Sequence, residues 1–198
     1  KLGLYAVVDS EAWVALCLEN GIKTVQLRIK DTDAANLEQD VKRAIELGQQ
    51  HGAQVFINDH WQLALKHGAY GVHLGQEDLH LANLKAIHDA GMRLGLSTHG
   101  FYEMLLAHNY RPSYLAFGAI YPTATKDMTG QIQGVETLAQ LCKINQSIPM
   151  VAIGGITLAR AAAVAETGVG CIAVVTAITK ATDPELAIRA FEEIIACH

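Results

Sequence analysis

The sequence predicts a single-domain (β/α)8 barrel, the TIM-barrel architecture, over residues 1–198. Three observations carry that reading: strand-like and helix-like runs alternate strictly eight times, most strand runs read as buried, and polar residues collect at one end of the strands. Alternation of this kind dictates a parallel sheet with right-handed crossovers, and eight units point to a closed barrel. An open doubly wound sheet is the alternative, but Val8-Asp9-Ser10-Glu11 after the first strand lacks the glycines of a dinucleotide fingerprint.

In order, Leu2–Asp9 reads as a strand, followed by a helix through Trp13, Leu16 and Cys17 that ends at Gly21. Gln26–Lys30 is the second strand. Residues 34–50 form a long helix with Leu37, Val41, Ala44, Ile45 and Gly48 on one face. Gln54–Asp59 is a strand and Trp61–His67 a short helix. Gly71–Gly75 is a strand before a helix at Leu81–Ala90, and Arg93–Thr98 a strand before a helix at Phe101–Tyr110. Ser113–Ile120 is the sixth strand, after which Tyr121–Gln133 reads as a long loop rich in Thr, Gln and Gly. Helix Val135–Ile144, strand Pro149–Ile156, the Ala-rich helix Leu158–Thr167 and strand Cys171–Ile178 follow. The last helix is Pro184–Cys197, with Asp183 as its cap and Pro184 at its first position.

A hydrophobic content of 51% with 18% charged residues describes a buried globular chain. The net charge of -5 argues against a general nucleic-acid binder. No apolar run reaches bilayer length and no signal peptide is seen. Cys17, Cys142, Cys171 and Cys197 are scattered, which suits buried free thiols in a reducing cytoplasm. The nine histidines do not cluster, and most read as surface residues.

Gln26-Leu-Arg-Ile-Lys30 is the most informative stretch. Val25, Leu27 and Ile29 face one way, and Gln26, Arg28 and Lys30 the other. In a barrel those polar groups enter a shared interior, where two cations are costly unless anions meet them. The anions are either internal carboxylates or a ligand. The remaining strand ends carry Asn58-Asp59, Gly75-Gln76-Glu77-Asp78, Ser97-Thr98-His99, Pro122-Thr123-Ala124-Thr125-Lys126, Gly154-Gly155 and Val175-Thr176. This is the end at which such barrels place their active sites, so the asymmetry indicates an enzyme. Gly154-Gly155-Ile156-Thr157 before a helix suits a phosphate, because bare backbone and a helix N-terminus can approach an anion. Asp59 and Asp78 follow adjacent strands about 4.8 Å apart; they either share one Mg2+ or cap the helices that follow. With Arg28, Lys30 and Lys126, a metal would imply a diphosphate. His99 reads as a solvated loop residue rather than a base.

Gln26-Leu-Arg-Ile-Lys30, Ile57-Asn-Asp59, Val72-His-Leu-Gly-Gln76 with Asp78, Pro122-Thr-Ala-Thr-Lys126 and Ala152-Ile-Gly-Gly-Ile156 together resemble the thiamine-phosphate synthase family, in order and across essentially the whole chain. The resemblance implies a transferase that joins 4-amino-2-methyl-5-hydroxymethylpyrimidine diphosphate to a hydroxyethylthiazole phosphate, releasing pyrophosphate. It implies that Gln26, Leu27, Arg28, Ile29, Lys30, Asn58, Ser97 and Lys126 hold the pyrimidine diphosphate, and that Arg28, Lys30, Ser97 and Lys126 carry catalysis. Asp59 and Asp78 would bind one Mg2+, while Thr123, Ala124, Thr125, Gly155, Val175 and Thr176 would hold the thiazole phosphate. Its expected partners are these small molecules, not nucleic acid or membrane, with self-association left open. Members usually carry a segment ahead of the first strand, whereas this sequence opens at Lys1, and position 176 is Thr where Ser is frequent.

Two other readings compete. A related thiazole tautomerase binds no diphosphate, so it leaves Arg28, Lys30 and Lys126 with Asp59 and Asp78 unexplained. A non-catalytic barrel would bind a thiazole or thiamine phosphate without turnover. Residues 123–133 are the one long connection, and such loops commonly close over substrates.

Overall fold

A computed structural model describes residues 3–30, 36–123 and 132–198. Eight parallel strands close into a barrel: β1 (Gly3–Val8), β2 (Thr24–Leu27), β3 (Gln54–Asn58), β4 (Gly71–Leu74), β5 (Arg93–Thr98), β6 (Tyr114–Phe117), β7 (Met150–Ala152) and β8 (Cys171–Val174). The seam is closed by β1 on β8, with Gly3 opposite Cys171 and Ala6 opposite Val174. Between the strands run α1 (Glu11–Glu19), α2 (Leu37–Gln50), α3 (Trp61–His67), α4 (Leu84–Asp89), α5 (Phe101–Ala107), α6 (Gly134–Ile144) and α7 (Leu158–Ala165); α8 (Thr176–Thr179) and α9 (Pro184–Ala196) end the chain.

Period-two alternation sorts each strand into two cores. Outward residues such as Ala6, Val8, Val25, Leu27, Ile57, Val72, Leu94 and Leu96 pack against the helices. Inward residues form a second, smaller core of Tyr5, Phe56, Tyr114, Ala116, Val151, Cys171 and Ala173. Its three rings meet edge-on or tilted, with centroids 5.2–5.9 Å apart. Two glycines make room for them. A Cβ on Gly95 would stand 2.3 Å from the Tyr114 hydroxyl, and one on Gly71 would stand 2.4 Å from the Phe56 ring. The barrel interior is therefore plugged by an aromatic floor.

Several expected boundaries shift; the seventh strand, for one, covers Met150–Ala152 rather than Pro149–Ile156, and the helix expected over Phe101–Tyr110 ends at Ala107. β2 ends at Leu27 rather than Lys30: after the Arg28 N–H donates to the Val8 carbonyl at 2.7 Å, residues 28–30 leave the sheet. The sixth strand is shorter than Ser113–Ile120. The fourth helix begins at Leu84, where the Asn83 side chain accepts from the Ala86 N–H at 3.0 Å, and a 3-10 turn at Asp78–His80 precedes it. The run Cys171–Ile178 is not one strand, because α8 turns off at Thr176, with the Ile178 and Thr179 N–H groups both donating to the Val175 carbonyl. The last helix starts as expected, Asp183 Oδ1 accepting from the Leu186 N–H at 2.9 Å. The four thiols are free, but only Cys17 and Cys171 are buried; Cys142 is half-buried and Cys197 exposed. Burial raises the Cys17 thiol to about 12, so it stays protonated and inert.

Candidate active site

The strand ends converge on one mouth, and backbone-directed bonds lace its rim. His60 Nε2 lies 3.1 Å from the Ile29 carbonyl, joining the departing β2 segment to the turn after β3. Gln76 donates to the Ser97 carbonyl at 2.6 Å and Gln133 to the His99 carbonyl at 2.7 Å. His99 is not simply solvated: it is half-buried, and the Glu103 carboxylate meets both its backbone N–H at 2.8 Å and its Nδ1 at 2.9 Å.

The charged part of the mouth lies over β2, β3 and β4. Asp59 adopts φ 60, a left-handed conformation that Asp tolerates better than most residues and that is uncommon outside functional turns. Its N–H donates to the His73 carbonyl across to β4 at 3.0 Å, and its Oδ2 accepts from the Asn58 side chain at 2.6 Å. The carboxyl lies against that of Asp78. Burial, then the Asp78 charge, raises the Asp59 pKa, while the Asn58 bond and Lys30 pull it down. Neither carboxylate caps a helix: the helix after Asp59 has no side-chain cap, and Asn83 caps the one after Asp78. The capping alternative therefore fails for both. Two half-buried carboxyls side by side can share a proton, as the raised Asp59 pKa indicates, or could hold a cation between them. Among the described residues no cluster of three or more metal-ligating side chains exists, so an ion held by this pair would take its other ligands from elsewhere.

Arg28 lies within electrostatic reach of Asp59. Burial lowers its pKa and the Asp59 carboxylate raises it, so among the described residues Asp59 is the anion that the guanidinium feels. Gln26 and Asn58 are buried on the inner face and Ser97 is half-buried there. Leu27 and Ile29 turn their side chains to the outer core, leaving only their backbone for a ligand.

Across the ring, β7 and β8 build the second part. Gly154 and Gly155 have φ 102 and 64. A Cβ on Gly155 would stand 2.4 Å from the Pro122 carbonyl oxygen, so only glycine fits between the turns after β6 and β7. Arg160 donates to the Gly155 carbonyl at 2.7 Å and stacks over Tyr121, 4.6 Å from the ring centroid. With that carbonyl engaged, the turn is held open for backbone N–H groups to meet an anion. Val175 and Thr176 open α8 beside it. Thr123 is half-buried at the end of the segment after β6, whereas Ala124, Thr125, Lys126 and most of the expected closing loop lie outside the described residues.

Sequence reasoning passed over three residues beneath this mouth: Tyr5, His73 and Tyr114. They link Gln26 to Ser97 through the barrel floor. Each is a single polar ring in an apolar strand, and only the alternation of β1, β4 and β6 could have placed all three indoors.

Residues 4–178 match the family described as thiamine monophosphate synthase. The chain is 55% identical over 183 residues to a thiamine-phosphate synthase of Yersinia pestis strain Pestoides F, covering 92% of this chain and 85% of that protein. It is 54% identical to the enzyme of that name in Photorhabdus laumondii, with the same coverage. The solved structure of thiamine phosphate pyrophosphorylase from Pyrococcus furiosus superposes with a TM-score of 0.87 at 31% identity, over 98% of this chain and 96% of that one. A barrel with a paired-carboxylate, cation-lined half and a glycine-turn half thus coincides with close sequence kinship, and the chain belongs to the thiamine monophosphate synthase family.

Proposed function

We propose that the two halves of the mouth hold the two substrates of thiamine phosphate formation, the pyrimidine diphosphate over β2–β5 and the thiazole phosphate over β6–β8. The observation that carries this is the Asp59–Asp78 pair beside Arg28 on one side, facing the Gly155 turn across the ring of strands. Asp59 and Asp78 would hold Mg2+, which when bound supplies charge neutralisation for the diphosphate. Arg28 and Lys30 bind diphosphate oxygens, Asn58 holds Asp59 in place, and Gln26 and Ser97 bind the pyrimidine ring. Lys126 adds a cation from the loop after β6. The Gly155 turn, with Val175, Thr176 and the Thr123–Thr125 segment, takes the thiazole phosphate.

In this reading the diphosphate departs from the pyrimidine methylene, leaving a cation stabilised by the electron-rich aminopyrimidine, and the thiazole nitrogen attacks it. The protein binds the leaving group, excludes water and aligns the nitrogen. No general base is needed for bond formation, in keeping with a His99 engaged by Glu103.

Incubation with both substrates and Mg2+ should release pyrophosphate and thiamine phosphate in equal amounts. Tight binding of thiazole phosphate with no pyrophosphate would instead indicate a binding protein. A second expectation concerns the turn. Gly155→Val should weaken thiazole phosphate binding by about 10-fold or more, since the clash is with backbone and φ is left-handed, while affinity for the pyrimidine diphosphate stays within a factor of about 2. Calorimetric titration of each ligand separates the two, and parallel losses would place both ligands elsewhere.

A further inference from the structure

We propose that Tyr5, Tyr114 and His73 are positioning residues: they form a one-way hydrogen-bond chain that fixes Gln26 as an acceptor and Ser97 as a donor, and so set the pocket to take a ring bearing an amine next to an unprotonated ring nitrogen. The inference rests on the reading above, in which Gln26 and Ser97 meet the pyrimidine.

The chain has four links. Gln26 Nε2 lies 3.1 Å from the Tyr5 hydroxyl. The Tyr5 and Tyr114 hydroxyls are 2.8 Å apart. The Tyr114 hydroxyl is 2.6 Å from His73 Nδ1, and His73 Nε2 is 2.8 Å from Ser97 Oγ. Direction follows from the placement of the Gln26 amide, with Nε2 toward Tyr5, and from giving each hydroxyl proton a partner within the chain. An amide nitrogen only donates and a phenol has one proton. Tyr5 therefore accepts from Gln26 and gives its proton to Tyr114, and Tyr114 gives its own to His73 Nδ1. A neutral imidazole accepting at Nδ1 carries its proton on Nε2 and donates to Ser97. Ser97 has then accepted, and its only proton is directed at whatever occupies the mouth.

The ends are thus complementary opposites. Gln26 has spent an N–H inward and keeps its carbonyl oxygen as an acceptor for a ligand amine; Ser97 offers a hydroxyl proton to a ring nitrogen. The barrel supports the chain sterically as well as chemically. His73 stacks on Tyr114, with centroids 5.6 Å apart and planes 22° apart, and the absent side chain of Gly95 leaves the Tyr114 hydroxyl its place. Burial holds both phenols in the protonated form the chain requires. A 4-oxo ring in place of the 4-amino ring presents a carbonyl and a ring N–H, reversing both polarities. A site built from fixed hydrogen-bond groups rejects such an analogue because each partner is left unpaired.

The test compares turnover of the 4-amino pyrimidine diphosphate and its 4-oxo analogue in wild type and in Tyr114→Phe, which keeps the ring and removes the link. Wild type should strongly prefer the amine in kcat/KM, and Tyr114→Phe should lower that preference by about 10-fold or more, with the Mg2+ dependence unchanged. An equal loss on both substrates, or an unaltered preference, overturns the proposal. Nitrogen-15 NMR of ligand-free wild type gives an independent reading: His73 should be the neutral tautomer with its proton on Nε2, and the Nδ1-H tautomer overturns the chain whether or not Tyr114→Phe folds. Because that spectrum needs no substrate, a failure of the substrate assignment would show separately, as absent turnover in wild type with the expected tautomer intact.

Discussion

Asp59→Asn should abolish Mg2+-supported turnover while thiazole phosphate binding stays near that of wild type, and the metal-free variant should melt at a higher temperature than wild type at neutral pH. The two effects share one cause. The Asp59 carboxylate is half-buried against Asp78, and its pKa is raised first by burial and then by that charge. Ionised without a cation, it destabilises the fold. The sign follows from linkage: a carboxyl whose folded pKa lies above its unfolded value carries a penalty present above the folded pKa and absent below the unfolded one. The gain in melting temperature should therefore fade as pH falls into the ordinary carboxylate range. If Mg2+ and diphosphate bind there as proposed, the same charge becomes an asset, so the variant should gain stability and lose activity. Asp78→Asn acts in the same direction, more mildly if its contact runs through water. Turnover against Mg2+ concentration and thermal melts at two pH values measure all of this. Unchanged Mg2+ dependence in both variants would remove the carboxylates from the metal site.

Arg28→Ala and Lys126→Ala should each lower the overall reaction by about 100-fold or more, the scale of losing one preorganised charge contact, but should divide the loss differently. Arg28 is held before any ligand arrives, on a segment tied by the Val8 carbonyl below and by His60 alongside. The contacts with the diphosphate proposed for it would exist in the ground state, so a large share of its loss should fall on substrate affinity. Lys126 follows Thr125 in the long loop after β6. If Lys126 meets the leaving group only as charge develops on it, the contact would lower the barrier more than it tightens binding. Lys126→Ala should then depress the single-turnover rate while pyrimidine diphosphate affinity drops less. A wild-type single-turnover rate in Lys126→Ala would take this lysine out of catalysis.

Much of this was legible in the residues. Alternation of strand and helix determined the barrel, and Gln26, Arg28, Asp59, Asp78 and Gly155 stood out because polar or bare residues at strand ends are costly unless used. What escaped had a physical reason too. The four-residue helix at Thr176–Thr179 follows an apolar strand of the same composition, so no change of period marks it. Asn83 outcompetes Asp78 as a cap because a 3-10 turn intervenes, a detail of backbone geometry and not of residue type. Tyr5, His73 and Tyr114 look like ordinary core residues until the curvature of the sheet brings β1, β4 and β6 to one axis. The partner of each lies in a distant part of the chain, and no local pattern records it.

The closure of the ring has a kinetic meaning. The Tyr5–Tyr114 contact joins residues 109 positions apart, and β1 meets β8 with Gly3 against Cys171. The Tyr5–Tyr114 contact needs the chain through β6 and the seam needs it through β8, so loop-closure entropy is spent before these contacts return anything, and folding should be slow and cooperative. The chain carries its own clock for the reverse event. Cys171 sits in the floor among the inward rings, its thiol fully protonated by burial, whereas Cys197 is exposed. Alkylation of Cys197 proceeds on the native protein, and alkylation of Cys171 waits for the first strand to part from the last, so the ratio of the two rates times the opening of the barrel.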